Sequence, residues 1–246
     1  MSKYFDEGIW DTCISKFDWY LKLASEFELL EKLKQNLSEQ EIEVLKEDIY
    51  SYIEGKLENE IIPINVNGPN WDAERKTIDT IIIHHTSHDK PLTLTRLNTM
   101  HLLRLYMPFF KNPSEENKFI KGRAISSGHY MQKKQVFYGY HWLVRLDGSI
   151  ERLLKDEYIG WHAGNWDINT RSIAICIDGN FEKGSPKVKV IQSIANLINE
   201  NYPKVETEKI LGHREITKKT VCPGKEFLSV WKPILINLIK MKHLTI

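Results

Sequence analysis

Two histidines and one cysteine in this chain have the residue types and the setting of a metal site. His84 ends an apolar run at residues 80–83, and eight residues separate His213 from Cys222, which a Pro-Gly pair follows. Imidazole nitrogens and a thiolate are ligands that zinc prefers, and three protein ligands leave a fourth position open. An open position is typical of catalytic rather than structural zinc, so the pattern favours hydrolytic chemistry.

The histidine at the strand end has a direct neighbour that competes for the same role. Adjacent side chains of a strand point to opposite faces, so only one of His84 and His85 can face a given site. The pattern alone does not choose between them. His88 stands at helical spacing from His84, but the strand pattern and Ser87 argue against a helix there.

The chain has three cysteines that are far apart in sequence, which indicates no disulfide framework. Cys176 lies in an apolar run typical of a buried strand, and Cys13 lies in a helical pattern, so both are interpreted as structural. Cys222 precedes a Pro-Gly pair in a loop, where core packing explains a cysteine poorly. We therefore interpret Cys222 as a ligand.

The elements that must position these residues divide the chain near residue 70. We expect an acidic N-terminal helical region at residues 1–70, with a helical hairpin, and a second domain at residues 71–246. In the second domain strands alternate with helices, which predicts an α/β fold with a mixed central sheet flanked by helices. The predicted helices cover residues 7–35, 38–57, 94–107 (stopped by Pro108), 188–201 and 226–241, and the predicted strands cover residues 78–83, 140–145, 149–153, 172–177 and 209–211.

Charge is distributed unevenly along the sequence. Residues 1–60 contain 15 acidic and 7 basic residues, whereas residues 61–246 contain 18 acidic and 27 basic residues. A basic body favours an anionic partner such as a cell-wall polymer. No clustered basic run or nucleic-acid motif is present, so we expect no nucleic-acid partner.

The sequence gives no sign of a membrane span or a signal peptide. No apolar run reaches transmembrane length, and the first residues turn acidic where a signal peptide needs an apolar core. We expect synthesis in the cytoplasm, so a target outside it needs a holin or another non-classical export route.

Six groups of motifs in order give the chain a specific resemblance over roughly residues 76–245. They are Ile82-Ile83-His84-His85-Thr86, Gly139-Tyr140-His141-Trp142, Asp147-Gly148, Trp161-His162-Ala163-Gly164, Arg171-Ser172-Ile173-Ala174-Ile175 with Gly179-Asn180-Phe181, and Gly212-His213-Arg214 with Cys222-Pro223-Gly224. In this order the chain resembles the zinc-dependent N-acetylmuramoyl-L-alanine amidases of the phage-lysozyme type. The peptidoglycan recognition proteins share this domain.

The resemblance implies roles for individual residues. It implies that His84 joins His213 and Cys222 as a zinc ligand and that Tyr140 is the active-site tyrosine. It also implies a residue near the substrate carbonyl, Thr220 or its neighbour Lys219. His162 matches a histidine of the substrate cleft, which could protonate the leaving amine. Substrate contacts are expected from Trp161, Asn165, Trp166 and Lys219.

The sequence departs from the family pattern in three places. The segment between His213 and Cys222 is about one residue longer than is usual with a cysteine ligand. The muropeptide-recycling branch commonly has an aspartate as third ligand and a glutamate at the position of Cys176, and this chain has neither. Residues 110–135 resemble an insertion beside the cleft.

The resemblance implies hydrolysis of the amide between N-acetylmuramic acid and L-alanine in peptidoglycan or its fragments. Two alternatives are a non-catalytic peptidoglycan-recognition protein and a cytosolic muropeptide-recycling amidase. A third is an interaction scaffold with structural zinc, which needs a fourth ligand from His85 or His88. For the N-terminal helices we expect either packing on the main domain or a protein partner or wall target.

Overall fold

The computed structural model of this chain describes residues 2–111, 122–124 and 126–243. The helices are α1 Glu7–Ile14, α2 Trp19–Lys22, α3 Ala24–Leu33, α4 Glu39–Glu58, α5 Leu94–Lys111, α6 Trp166–Arg171, α7 Val188–Asn201, α8 His213–Ile216 and α9 Lys232–His243. The strands are β1 Thr80–His85, β2 Tyr130–Met131, β3 Lys134–Gln135, β4 Trp142–Val144, β5 Ile150–Arg152, β6 Ser172–Ile177 and β7 Ile210–Gly212. Short 3-10 turns lie at Trp71–Glu74 and Thr207–Lys209, and a π-helical turn lies at Phe227–Trp231.

The chain forms two compact units. The first contains Met1–Asn70 and Thr93–Phe137, and the second contains Trp71–Leu92 and Tyr138–Ile246. The first unit therefore includes α5 and the β2–β3 pair in addition to the N-terminal helices. The division into domains at residues 1–70 and 71–246 stays a prediction.

The first unit begins with more helices than the sequence pattern predicts. The single helix expected over residues 7–35 is divided into α1, α2 and α3. Trp10 and Trp19 are 2% and 0% exposed. A continuous helix turns about 100° per residue, so nine residues would put these rings on opposite faces. The breaks allow both rings to be buried in one apolar cluster.

Two other sequence expectations for the first unit have different outcomes. The capping box that opens α4 is confirmed, with Glu41 N donating to Ser38 Oγ at 3.3 Å and Ser38 N donating to the Glu41 carboxylate at 3.0 Å. The helix stop at Pro108 is wrong, because α5 continues to Lys111. Proline has no backbone N–H, so Pro108 removes one hydrogen bond of the helix. Only three residues of α5 follow Pro108, so the helix loses little from this missing bond. Part of the expected insertion lies outside the described residues, namely 112–121 and 125.

The second unit contains a five-stranded mixed sheet in the order β5-β4-β6-β1-β7. Strand β1 is parallel to both β6 and β7, and β4 is parallel to β6 and antiparallel to β5. Every residue of β1 and β6 is buried, as expected for central parallel strands covered on both faces. The α/β fold predicted from the sequence, with N-terminal helices, is confirmed.

Alternation along β1 decides which side of the sheet each histidine faces. Ile81 and Ile83 belong to the apolar cluster formed with α7 and α9. His84 is offset by one residue and therefore points to the opposite face, together with Cys176, its register partner on β6. His85 points to the same side as the helical cluster. No helix in the described part of the chain is both long and apolar enough to cross a bilayer.

Candidate metal centre

Three side chains of the second unit converge at the carboxyl ends of β1 and β7. His84 comes from the end of β1, His213 is the first residue of α8, and Cys222 lies in the loop that follows. One ligand atom from each lies within 4.8 Å of the others. Across the described ranges, no second group of three or more His, Cys, Asp or Glu side chains has this arrangement.

One distance in this group matches the separation expected between two ligands of a tetrahedral metal ion. Cys222 Sγ lies 3.7 Å from His84 Nδ1. Zinc bonds of about 2.3 Å to sulfur and about 2.0 Å to nitrogen give a ligand separation of about 3.6 Å at the tetrahedral angle. Two imidazoles and one thiolate also form a donor set suited to zinc. The residues present therefore fit a three-ligand zinc site.

Hydrogen bonds from Arg214 hold the two ends of the loop between His213 and Cys222 close together. The N–H of Arg214 donates to the carbonyl oxygen of Cys222 at 2.8 Å. The Arg214 guanidinium donates to the carbonyl oxygens of Gly224 and Lys225 at 3.1 and 3.2 Å. These bonds close the loop at its base, so its extra residue does not separate the two ligands.

His85 is excluded from the ligand group by its position on the other face. Its Nδ1 accepts a hydrogen bond from Phe181 N at 3.0 Å. Burial lowers the pKa of His85 to about 4, so the ring is neutral at pH 7. Its backbone N–H donates to Cys222 Sγ at 3.4 Å. The residue therefore supports the cysteine through its main chain, while His84 supplies the ring at the site.

His162 lies beside His84 and has contacts on both ring nitrogens. Its Nδ1 is 2.9 Å from His84 Nε2, and its Nε2 is 3.1 Å from Ser172 Oγ. The Asn169 side-chain oxygen accepts from the N–H groups of His162 and Ala163 at 3.3 and 2.9 Å. The imidazole is therefore fixed from the loop side and from the strand side.

Tyr140 is the second aromatic neighbour of His84. The two ring centroids are 5.0 Å apart, and Tyr140 is 6% exposed. A close backbone approach brings the segments of Tyr140 and His162 together, because a Cβ on Gly160 would lie 2.4 Å from the carbonyl oxygen of Gly139. Glycine at position 160 permits this contact.

Thr220 and Lys219 lie in the loop before Cys222, the candidate cysteine ligand. The Thr220 hydroxyl oxygen accepts from Cys222 N at 3.0 Å. An accepting hydroxyl still carries its own proton, so Thr220 can also donate to a substrate oxygen. Lys219 is exposed, and its backbone N–H donates to the Thr217 hydroxyl at 3.4 Å.

Three of the four residues expected to contact substrate, Trp161, Asn165 and Trp166, lie on the segment around His162. Asn165 caps α6 by accepting from Ile168 N at 3.1 Å. Trp161 and Trp166 pack edge to face with centroids 5.5 Å apart, and Trp71 packs edge to face against both. All three tryptophans are partly exposed. The structure thus brings together two expected residues and one, Trp71, that the sequence indicated only as part of a boundary.

Sequence reasoning also missed two buried residues near the candidate ligands. The sequence indicates Ser172 only as the start of a buried strand and gives no signal for Asn169. The motif around Arg171 and Ser172 marked the strand, but no sequence signal linked its serine to His162. Only the fold joins these positions.

Proteins similar to this chain include both recognition proteins and enzymes. A peptidoglycan-recognition protein of Drosophila simulans is 33% identical over 113 residues, which are 45% of this chain and 60% of that protein. The 1,6-anhydro-N-acetylmuramyl-L-alanine amidase AmpD of Haemophilus influenzae is 24% identical over 149 residues, 54% of this chain and 81% of that protein. The chain thus spans 60% of the length of the Drosophila relatives it matches.

Solved structures with a similar chain path carry related descriptions. The N-acetylmuramoyl-L-alanine amidase LysC from Clostridium intestinale URNW matches with a TM-score of 0.45 and 19% identity, covering 71% of this chain and 95% of that one. The Drosophila peptidoglycan recognition protein SD matches with a TM-score of 0.41 and 22% identity, covering 70% and 86%.

A family model described as N-acetylmuramoyl-L-alanine amidase matches residues 74–225. The matched segment is more than half of the 246 residues and contains His84, His213 and Cys222. The chain belongs to the N-acetylmuramoyl-L-alanine amidase family.

Proposed function

We propose that this protein is a zinc-dependent hydrolase that cleaves the amide bond between N-acetylmuramic acid and L-alanine in peptidoglycan or its fragments. The observation that carries the proposal is the convergence of His84, His213 and Cys222, with ligand atoms within 4.8 Å of one another. Three protein ligands leave a coordination position for water or substrate, as catalytic zinc requires.

The three ligands would lower the formal charge of a zinc site from +2 to +1. One thiolate and two neutral imidazoles contribute a single negative charge against the two positive charges of the ion. Zinc bound there would supply Lewis-acid polarisation of the substrate carbonyl and activation of water at neutral pH. The N–H of His85, which donates to Cys222 Sγ, favours the thiolate form that a metal ligand needs.

Tyr140 and Thr220 are the proposed polar groups for the reacting amide. The Tyr140 ring lies beside His84, where its hydroxyl could position the attacking water or donate to the carbonyl oxygen. Thr220 lies two residues before Cys222, and Lys219 is the alternative donor in that loop. A donor aimed at the developing oxyanion is worth about 3–4 kcal/mol by analogy with hydrolases.

His162 is a further proposed site residue, and its hydrogen bonds support a role in positioning His84. Both ring nitrogens lie within 3.1 Å of protein groups, His84 on one side and Ser172 on the other. A histidine that protonates the leaving amine must direct a nitrogen at the substrate. Protonation of the leaving amine by His162 therefore stays a prediction.

We propose that the cluster of Trp71, Trp161 and Trp166 contacts the sugar or the stem peptide. Aromatic rings offer a flat apolar face that can pack on the C–H face of a sugar ring, and the indole N–H adds a polar group. The indole N–H of Trp166 donates to the Glu74 carboxylate at 2.6 Å, which fixes that ring. Asn165 and Lys219 are proposed as polar contacts of the same substrate.

Residues 1–70 are proposed as a separate region with its own task. Their acidic charge and helical structure suit a protein partner or a wall-targeting role, as distinct from the amide chemistry of residues 71–246. Synthesis in the cytoplasm, followed by release to the wall through a holin or another route, stays a prediction. Recycling of wall fragments in the cytoplasm is the corresponding alternative.

Recognition without hydrolysis is the second candidate function. It is favoured by the 33% identity to a peptidoglycan-recognition protein over 113 residues. The presence of Cys222 argues for catalysis, because a complete ligand set is needed only where a metal is held. The two functions predict different outcomes with one substrate, namely binding with turnover or binding alone.

The test combines metal analysis with a cleavage assay on the full chain. Purified protein is expected to hold about one zinc per chain and to release peptides that begin with L-alanine from a soluble muropeptide. A chelator should abolish cleavage and added zinc should restore it. Cys222→Ser should lose both zinc and cleavage, whereas Cys13→Ser, which changes a cysteine of α1, should keep both.

Two outcomes would contradict the proposed hydrolase function. One is the absence of zinc together with full activity of Cys222→Ser. The other is muropeptide binding by zinc-loaded protein without any released peptide, which would favour the recognition function. Comparing the full chain on intact sacculi and on soluble muropeptides separates wall lysis from recycling.

A further inference from the structure

The two nitrogens of the His84 ring face different partners. Nδ1 lies 3.7 Å from Cys222 Sγ, on the side where the candidate ligands converge. Nε2 lies 2.9 Å from His162 Nδ1, a hydrogen-bonding distance. The ring orientation therefore assigns Nδ1 to the metal and Nε2 to His162.

One arrangement of protons satisfies these contacts when a metal is bound. A neutral imidazole carries one ring proton, and the coordinating nitrogen must present a lone pair. With His84 Nδ1 as ligand, its proton is on Nε2 and is donated to His162 Nδ1. His162 then carries its own proton on Nε2, 3.1 Å from Ser172 Oγ, which accepts it. The reverse direction would protonate His84 Nδ1 and block coordination.

Burial makes this chain of hydrogen bonds consequential. His84, His162 and Ser172 are 1%, 8% and 0% exposed. Water has little access, so a lost partner leaves a buried polar group unsatisfied, and such a group is costly. The ring centroids are 5.0 Å apart and the two nitrogens are 2.9 Å apart, so the bond links the edges of both rings.

Ser172, the last residue in this series of hydrogen bonds, belongs to the central sheet. Ser172 begins β6 and pairs with Thr80 of β1. Its carbonyl oxygen accepts from the guanidinium of Arg75 at 3.0 Å. On the loop side, Asn169 holds the backbone of His162. The serine hydroxyl is therefore a fixed acceptor.

We propose that His162 and Ser172 are positioning residues that hold His84 with Nε2 protonated and Nδ1 directed at the metal. This inference rests on the proposed zinc function, and it gives His162 a task that acts through a ligand. Partners of this kind orient a metal-binding histidine and raise its basicity, and their loss typically lowers metal affinity by about 10–100-fold.

A matched pair of substitutions at position 162 tests the proposal. Asparagine places an amide oxygen where histidine has Nδ1, so His162→Asn keeps an acceptor for His84. Leucine is of similar size and offers no acceptor. Competition with a chelating dye should show zinc affinity reduced about tenfold or more in His162→Leu and within about threefold of the parent in His162→Asn. Ser172→Ala should cause a smaller loss.

Equal zinc affinity in the parent and both position-162 variants would overturn the proposal. An equal loss in both would also overturn it, because an acceptor would then not suffice. Circular dichroism and thermal unfolding of each variant exclude a folding defect as the cause.

Nitrogen NMR of the zinc-loaded parent gives a test without any substitution. Long-range proton–nitrogen spectra of the His84 ring should show a coordinated Nδ1 and a protonated Nε2. Coordination through Nε2 would overturn the proposal. Neither measurement uses substrate, so failure of the amidase assay with zinc-loaded protein would contradict the proposed function and leave this inference standing.

Discussion

Cys222 Sγ and His84 Nδ1 are 138 residues apart in sequence and 3.7 Å apart in space. The sheet fixes His84, because β1 is paired on both sides. Cys222 lies in a loop and depends on hydrogen bonds for its position. We therefore expect the candidate metal centre to be more sensitive to changes in that loop than to changes of similar size on the sheet.

Arg214→Ala tests this dependence. The guanidinium donates to the carbonyl oxygens of Gly224 and Lys225, and alanine removes both bonds while the backbone bond to Cys222 remains. Hydrogen bonds from a charged group contribute about 1.5–3 kcal/mol, reduced here by partial exposure. We expect zinc affinity to fall about tenfold and unfolding to require about 1–2 kcal/mol less, measured by dye competition and denaturant titration.

Arg171→Ala is the matched control in the same unit. Arg171 forms ion pairs with Asp79, which directly precedes β1, at 2.8 Å and with Asp167 of α6 at 3.2 Å. Its removal should lower stability by at most about 1 kcal/mol, as is usual for exposed ion pairs, and leave zinc affinity unchanged. A similar loss of zinc affinity in both arginine variants would contradict the special role of Arg214.

Tyr140→Phe tests the proposed hydroxyl beside His84. Phenylalanine keeps the buried ring and removes only the oxygen, so zinc content should be unchanged. Loss of a donor to the oxyanion lowers kcat by about 10²–10³-fold in related chemistry, and we expect at least about tenfold. Tyr138→Phe is the control, since Tyr138 is also buried. Unchanged kcat in Tyr140→Phe would remove that hydroxyl from the mechanism.

The sequence predicted the parts of the site that depend on local patterns. Apolar runs identified β1 and β6, and the Cys-Pro-Gly setting singled out Cys222. The choice between His84 and His85 required the alternation of β1 relative to α7 and α9, which a sequence pattern alone does not contain. The family resemblance independently favours His84.

Other structural features could not be predicted from the sequence because long-range packing decides them. The helix expected over residues 7–35 has good local propensity, yet Trp10 and Trp19 can share one core only if it breaks. The contact between Ser172 and His162 spans ten residues through a loop, a helix and a strand end. No periodicity predicts such a contact, because the loop geometry between the two positions decides it.

Substitutions of Asn165 separate its structural role from its proposed substrate contact. Its side chain caps α6, and loss of a cap costs about 1 kcal/mol. Asn165→Ala should therefore lower the unfolding free energy by about that amount, whereas Asn165→Ser keeps a capping oxygen and should not. A raised KM in both variants, with stability lost only in the alanine variant, would support the substrate contact. An unchanged KM in the serine variant would contradict it.

His141 should make the stability of the second unit depend on pH. Its Nδ1 accepts from Ala174 N and its Nε2 donates to the carbonyl oxygen of Tyr158, both at 3.0 Å. Burial lowers the pKa of His141 to about 3, against about 6.5 for an unfolded histidine. Between these values the unfolded state binds more protons, so this contribution is complete above about pH 6.5 and is lost as the pH falls towards 3.

Denaturant titrations of the parent and His141→Gln at pH 7 and pH 5 measure this contribution. In the parent, His141 should account for about 2 kcal/mol of lost unfolding free energy at pH 5. Glutamine keeps a donor for Tyr158 but does not titrate, so the variant should be less stable at pH 7 and less sensitive to acid. His85 and His101 also have lowered pKa values, about 4 and about 3, and they remain in both proteins. The difference between the two pH dependences therefore isolates His141, and identical dependences would show that its ring is protonated equally in both states.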